Sequence, residues 1–597
     1  YGTGTVNFAG TSSVVGTVGA GGLNIGAVNA NGASGKTINF QYTSGTSVFI
    51  SNLNFGGNGA VTLNGGSYIN SIDNTSGTSG YGTVTVSSTG NLNVYTGIGA
   101  TLPINAINVT ADTVHFNGAI NVNANNLSIT NSGYFVFDSG SNYTGNGITT
   151  TDGTGTLQLN GTSTITGTVG ASGSNLGTIT AGPDGATDTF SNNIYANNLK
   201  FTGNGTVKLA VGVNYNAGSG TGITTNNAGE GILTFLGASS TSGNIGQSGT
   251  SLAAVNVNGG IVTLNNNIYA TTTTVNSGGT LKLGSGETIG GALTVAGTGA
   301  VNISDHTLTN NGIYTQGATT TLNVATNSVS DFGKINTTGN AAVTAGSTVN
   351  VAVGGYIPNN STFEVINGAA GSVYGAPGTI NSTSSLVTFS SLISNGKFYL
   401  IANRSSTGYA SLAANSNASA AGSTLDNISN PSTSMQSVLN TIDSLPASQI
   451  SSGLNTLTPV VDNSSPQVSY QTQDQFIQTL NTHLEDINNP AYAGISTGDE
   501  DPDGLSLKGL DIWTQGLGSY LHEDPRGLSN GYNASIWGVT LGLDYPVTDD
   551  IRLGVSSGFA QDFVNSKDNS ATNDINNYNG TLYGAYTKDR YYINMAA

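Results

Sequence analysis

Four histidines, His115, His306, His483 and His522, are the only imidazoles in the chain. They are scattered over three regions. No spacing among them suits a metal site, which needs several ligands at short, fixed separations. Each reads as a surface residue or a filler between strands. Asp138-Ser139-Gly140-Ser141 has the order of a serine nucleophile motif, but Phe137 stands where that motif carries glycine, so a turn is the better reading. Asp499-Glu500-Asp501-Pro502-Asp503-Gly504 matches the start of a calcium loop, D-x-D-x-D-G. The full loop needs a bidentate Glu at its twelfth position. That position is Leu510, the ninth is Leu507 and a proline occupies the fourth, so the segment reads as a solvated acidic tether. Lyases and glycoside hydrolases need acids and bases clustered along one groove. Lys36, Lys200, Lys208, Lys282 and Lys334 are nearly all the bases before residue 400. The sequence therefore offers no catalytic, cofactor-binding or metal-ligating residue, and a protein that is not an enzyme and has no cofactor is expected.

Composition bounds the rest. Only 7% of the 597 residues are charged, against about 25% in ordinary soluble domains. Glycine is abundant, at 87 residues, with much Asn, Thr and Ser. Disordered chains pair low hydrophobicity with high charge, whereas 36% of this chain is apolar and falls in short groups of β type. A net charge of −18 with 13 Lys and Arg excludes a nucleic-acid partner, which needs a basic footprint. Cysteine is absent, which excludes disulfides and thiol catalysis and suits export through an oxidising compartment. No run of 18 apolar residues is long enough for a transmembrane helix, and Tyr1-Gly2-Thr3-Gly4-Thr5 has no signal-peptide character.

The elements that position these residues are repeats. Gly2 to Gly19, Gly153 to Gly170 and Gly229 to Gly246 align without gaps, with starts 151 and 76 residues apart, implying a unit near 75 residues. Asn192-Asn193-Ile194-Tyr195-Ala196 returns 74 residues later as Asn266-Asn267-Ile268-Tyr269-Ala270. A shorter period lies inside: Val257, Val275 and Val295 are 18 and 20 apart, and Leu264, Leu283 and Ile303 are 19 and 20 apart. Two alternating strands with Gly- or Asn-rich turns in about 20 residues make one coil of a β-solenoid, so the long unit is three to four coils. Residues 335–410 keep strands at Val349–Val353, Thr362–Ile366 and Lys397–Ala402 but lose the repeat, and read as a C-terminal cap.

Residues 411–509 read as a linker with short helices. Met435, Val438, Leu439 and Ile442 form one apolar helix face, stopped by Pro446, and Ile450, Leu454 and Leu457 a second, stopped by Pro459. After Pro466, the residues Val468, Phe476, Ile477, Leu480 and Leu484 predict a longer helix ending before Pro490. From 510 to 597 come strands of roughly ten residues: Leu510–Tyr520, Ser535–Tyr545, Ile551–Phe563, Tyr578–Tyr586 and a fifth from Tyr591. Val539, Leu541, Leu543 and Tyr545 alternate with Gly538, Thr540, Gly542 and Asp544, as a lipid-facing barrel wall demands. Val547 to Asp550 reads as a short turn, Gln561 to Asn577 as a long polar loop, and Tyr520, Tyr545, Tyr591 and Tyr592 as an aromatic girdle.

Asp511-Ile512-Trp513-Thr514-Gln515-Gly516-Leu517-Gly518 resembles the first strand of the autotransporter β-domain. Gly531 to Asp544 resembles its second, and Leu553-Gly554-Val555-Ser556 continues into the third. The resemblance covers about 90 residues. More loosely, the Gly/Asn/Thr repeats are similar to surface-antigen autotransporters of the rickettsial type. It implies type V secretion: a twelve-stranded outer-membrane barrel, a passenger exported to the cell surface, a linker helix left in the pore, and lipid and the barrel-assembly machinery as partners. Against that family pattern the chain reads as cut at both ends, beginning inside a repeat and stopping in a fifth strand. An open five-stranded sheet is not expected to insert into a bilayer alone.

The resulting expectation is an all-β chain. Residues 1–334 form a right-handed parallel β-helix (β-solenoid) passenger, 335–410 its cap, 411–509 the linker, and 510–597 the first strands of an incomplete antiparallel transmembrane β-barrel. The passenger is expected to serve as an adhesin or surface antigen, meeting a host-surface protein or glycan, or like chains. A passenger with hydrolase or lyase activity and a passive coat or spacer are the alternatives.

Overall fold

The structure, a computed structural model, describes all residues except 1, 42–46, 88–90, 152, 429–430, 459–463, 489–508, 527–530 and 568–570. The chain divides into two compact units, residues 1–412 with 422–451, and residues 413–421 with 452–597.

The first unit is a parallel β-solenoid of about 14 turns. Its strands are short because each must bend at a corner, and burial alternates along many of them, as in Thr206–Leu209 and Thr307–Asn310. The valines spaced 18 and 20 apart are vertical neighbours: Val257 pairs with Val275, and Val275 with Val295. Leu264 likewise pairs with Leu283. All five are at most 1% exposed, the valines in one column of the core and the leucines in another. The interior is lined by Val, Leu, Ile and Phe, each of which removes apolar surface worth about 1.5–3 kcal/mol from water.

The 75-residue unit is three coils plus one further face. Leu157 pairs with Ile179, Ile179 with Leu199 and Leu199 with Ile223, whereas Leu233, which matches Leu157 in the repeat, stands in another column between Val207 and Val255. Each of the three aligned segments throws out one small hairpin, closed by the bridges Ala20 to Leu23, Ala171 to Ser174 and Gln247 to Thr250. Gly19, Gly170 and Gly246 open these hairpins at φ +73°, +69° and +74°. A Cβ at Gly170 would collide with the Tyr195 carbonyl, and one at Gly246 with that of Tyr269. This close approach explains why the aligned repeats all end on glycine.

The coils do not stop where the sequence repeat fades. Thr321 pairs with Thr348 and Thr348 with Thr379, so the coil lengthens while the column continues to Thr379–Ser382. A coil needs alternation, not constant length, and Thr321–Thr326 and Thr348–Val353 keep the alternation. An antiparallel hairpin, Val387–Ser394 with Lys397–Arg404, then pairs onto Thr362–Asn367. This hairpin turns the parallel stack into an antiparallel edge. Helix Thr433–Asp443 docks on the same unit through Arg404, whose two terminal nitrogens lie 2.7 and 2.9 Å from the Asp443 carboxylate. Tyr409 donates to Asp443 at 2.5 Å, and the Arg404 guanidinium lies over the Tyr356 and Tyr409 rings. Burial acts against the Arg404 charge, but the Asp443 carboxylate outweighs it and holds the guanidinium above its ordinary value. Two short helices, Gly408–Ser411 and Ser416–Asp426, occupy a stretch where the sequence signals only Ala, Ser and Asn enrichment.

In the second unit, five antiparallel strands form one curled sheet in sequence order: Asp511–Glu523, Tyr532–Thr548, Ile551–Ser566, Thr572–Lys588 and Tyr591–Ala596. The first four are 13 to 17 residues long, not ten. The polar stretch from Gln561 to Asn577 is mostly strand, paired from Gln561 with Asn576 out to Asn565 with Thr572, and not a long loop. Asn and Asp sit there on a regular ladder because backbone pairing continues beyond the apolar band. The turn Asp549-Asp550 is tight, as expected. Val539, Leu541, Leu543 and Tyr545 are 40–55% exposed on the outer face, as are Leu553 and Val555 on the next strand. Tyr520, Tyr545, Tyr591 and Tyr592 stand exposed near strand ends.

Candidate functional site

The inner face of the C-terminal sheet is filled by helix Ser464–Ile487. Pro466 sits in its first turn, where a missing N–H costs nothing. The helix presents one stripe at i, i+4 spacing: Val468, Thr472, Phe476, Leu480 and Leu484, all buried. Ile477, apolar in sequence, is 48% exposed and lies off the stripe.

Along its length the stripe meets all of the first four strands. Val468 packs with Tyr532, Ala534, Ile536 and Val564. Thr472, the polar member, donates to Asp562 at 3.0 Å, and Asn577 donates to the same carboxylate at 2.7 Å. Phe476 fills the hollow left by Gly558, where a Cβ would strike its ring. Leu480 and Leu484 pack with Trp513, Tyr583 and Ala585. At the end of the helix, Asn488 donates to Asn594 at 3.1 Å and accepts from Thr587 at 2.6 Å.

The polar centre of the site is Asp544, 1% exposed. His483 Nε2 lies 2.8 Å from its Oδ2, Tyr583 donates to the same oxygen at 3.1 Å, and Arg552 bonds its Oδ1 at 2.5 Å. Arg552 also pairs with Asp511. The His483 ring stacks on Trp513 at 4.1 Å, and Trp513 Nε1 donates to Tyr583 at 2.6 Å. A buried, fully hydrogen-bonded cluster of this kind locks geometry, since breaking one partner leaves an uncompensated charge. It holds the helix within the curled sheet; chemically, no serine, threonine or lysine nucleophile is bonded within it among the described residues.

The other sequence candidates are placed as follows. His115 Nε2 lies 2.9 Å from Asp138, both about one-third exposed, on the solenoid surface. Burial works against the Asp138 charge, but bonds from His115, Gly118 and Asn160 outweigh it and keep the carboxyl below its usual range. Ser141 is buried and donates to the Gly118 carbonyl, away from that pair. Gly140, at φ +85°, makes Asp138 to Ser141 the turn that the sequence predicts. His306 pairs with Asp305 at 3.3 Å, and His522 with Asp524 at 3.4 Å. Among the described residues no group of three potential ligands comes together. The acidic segment Asp499 to Gly504 lies outside the described residues.

Sequence reasoning did not find the His483–Asp544–Arg552 cluster. The alternation already turned Asp544 inward. What it lacked was the partner: His483 falls beside Leu484 on the stripe, but only the fold sets it against the second strand.

Comparison with known proteins fits this geometry. Residues 512–597 match the family described as "Autotransporter beta-domain". The chain is also 25% identical over 424 residues to "Outer membrane protein B" of Rickettsia conorii, an alignment covering 64% of this chain and 25% of that protein. The chain thus spans about a quarter of the length of this relative. An autotransporter β-domain is an outer-membrane barrel, which puts the outward leucines and valines in lipid and the solenoid at the cell surface. Residues 512–597 thus carry strands of an autotransporter β-domain, and a repeat solenoid precedes them.

Proposed function

We propose that the solenoid is a surface-displayed adhesive passenger without catalytic activity, and that helix Ser464–Ile487 is the tether retained in the barrel lumen. The observation that carries this reading is the continuous run of about 14 coils whose outer face is Thr, Asn and Ser, on a chain that ends in membrane strands. Such a surface makes many weak contacts, and repetition multiplies them. The His115–Asp138 pair, which bonds no serine side chain among the described residues, supports an ion pair and not a hydrolytic centre. Insertion is assigned to the barrel-assembly machinery, and the partner outside to a host-surface protein or glycan, or a second passenger.

The test is expression of the complete reading frame on a non-adherent bacterium. Saturable attachment to host cells, or autoaggregation, that disappears when residues 1–404 are deleted is the expected result. Equal attachment with and without the solenoid overturns the adhesive reading, and non-saturable behaviour favours a passive coat.

A further inference from the structure

Near its capped end the solenoid carries a surface array that its packing does not require. Strands Thr321–Thr326 and Thr348–Val353 pair so that Thr321 stacks on Thr348, Asn323 on Asn350 and Ala325 on Ala352. The next step adds Thr379 and Asn381 to the same columns, and the preceding one adds Asn302 below Asn323. The alternate residues Leu322, Val324, Val349 and Val351 fill the core, so all three columns face outward. Groups repeat about every 4.8 Å along the stack and about every 7 Å across it.

The asparagines form a directional chain. Asn381 donates to Asn350 at 2.9 Å, and Asn350 donates to Asn323 at 2.9 Å. An amide has two N–H groups and two lone pairs. Each linked asparagine therefore keeps a free donor or acceptor for a further partner. Beside this column the methyl groups of Ala325 and Ala352 lower the surface, and Ser304 and Thr383 rim the resulting groove.

Chemistry narrows the occupant. A peptide that adds as a strand needs an unpaired sheet edge, and Thr348–Val353 is paired on both sides. Nucleic acid or a sulfated glycan needs cations, and no Lys or Arg lines the groove. A purely apolar ligand would bury the amides unsatisfied. An uncharged sugar chain fits both features: ring C–H faces lie on the alanine methyls, and hydroxyls, which donate and accept, pair with amides and threonines.

We propose that the groove along Asn302, Asn323, Asn350 and Asn381 binds an uncharged polysaccharide laid along the coil stack. This rests on the adhesive reading of the passenger and assigns it a ligand class. The test uses the full chain on an array of neutral hexose and N-acetylhexosamine oligomers, two to six sugars long, with sulfated oligomers alongside. Expected is binding that strengthens with length toward four sugars, ignores the sulfated set, and falls at least tenfold in the double variant Asn323→Leu, Asn350→Leu. Asn350→Asp, which keeps the side-chain shape, is expected to weaken binding severalfold while the thermal midpoint holds. No neutral binding, preference for the sulfated set, or binding unchanged in the double variant overturns the proposal. Cells displaying the double variant that bind no neutral glycan yet attach normally would overturn the groove and leave the adhesive reading standing.

Discussion

His483 and Asp544, 61 positions apart, meet at 2.8 Å inside the curled C-terminal sheet, with the imidazole stacked on Trp513. The contact joins a helix that could slide along its axis to a strand fixed by the register of its neighbours. With the Thr472–Asp562 bond, it fixes the axial position of the helix, which the apolar stripe alone would leave open to one-turn slips.

Removing Asp544 should therefore release the helix. Asp544→Ala leaves His483 and Tyr583 without a shared acceptor and Arg552 with Asp511 alone, a loss of about 3–5 kcal/mol for a buried pair. Because the chain has no cysteine, a single Thr479→Cys reports on exposure directly. Thiol labelling of full-length protein in outer-membrane fractions should be slow with Thr479→Cys alone and much faster when Asp544→Ala is added. Equal rates would show that the cluster does not hold the helix.

Arg404 and Asp443 make a second buried lock, at the capped end of the solenoid, with side chains 8% and 0% exposed. Arg404→Ala is expected to cost about 3–5 kcal/mol locally, seen as protease cleavage between residues 404 and 443 well before the coils open. Replacing both partners with leucine should recover much of that loss, since no charge is then left buried.

Asp188 makes the solenoid sensitive to pH. Burial pushes its carboxyl up to about 7, against the pull of the Gly182 and Ser163 amides that it accepts at 2.8 and 3.0 Å. The folded value lies above the unfolded one, so the stabilising contribution is whole below about pH 4 and is lost as pH rises to about 7. The full window corresponds to about 4 kcal/mol. Hydrogen exchange at Ser163 and Gly182, referenced to intrinsic rates, should show protection falling across this window, and Asp188→Asn should flatten the dependence. Protection that rises with pH would contradict the sign.

Gly170→Ala and Gly173→Ala separate collision from strain. Both glycines have positive φ, +69° and +81°, but a Cβ at Gly170 meets the Tyr195 carbonyl whereas one at Gly173 meets nothing within 4 Å. The Gly173 change should cost about 1–2 kcal/mol, the penalty of a left-handed backbone, and the Gly170 change clearly more. Limited proteolysis at the 170–174 hairpin would rank them, and the reverse order would refute the packing account.

On the outer wall of the sheet, Leu541→Arg should impede membrane insertion by about 2–4 kcal/mol if Leu541 lies near mid-bilayer. The heat-shifted gel mobility of the full-length protein in membrane fractions measures it. Thr540, its inward neighbour, is 2% exposed, so the same substitution there should disturb the helix instead.

Much of this was legible in the residues. The valine spacing named its own vertical neighbours, and the glycine ending each repeat marked a backbone position that only glycine fills. The alternation from Val539 to Tyr545 gave the wall its two sides. Coil continuation past residue 334 was hidden because it preserves a pattern of two and not a spacing of twenty. Ala534 and Ile536 lie on the inner face because helix Ser464–Ile487 covers them, a contact that strand alternation alone does not announce. Polar strand ends from Gln561 to Asn577 imitated a loop because hydropathy ends before hydrogen bonding does.

The 75-residue unit has a consequence for how such a protein can change length. Pairings recur from unit to unit, Leu157 with Ile179 returning as Leu233 with Val255, so a duplication or deletion of one whole unit leaves both flanks with equivalent neighbours. The molecule then behaves as a ruler with graduations of about 16 Å. Its reach from the cell could be reset by recombination between its own repeats, with no new fold to solve.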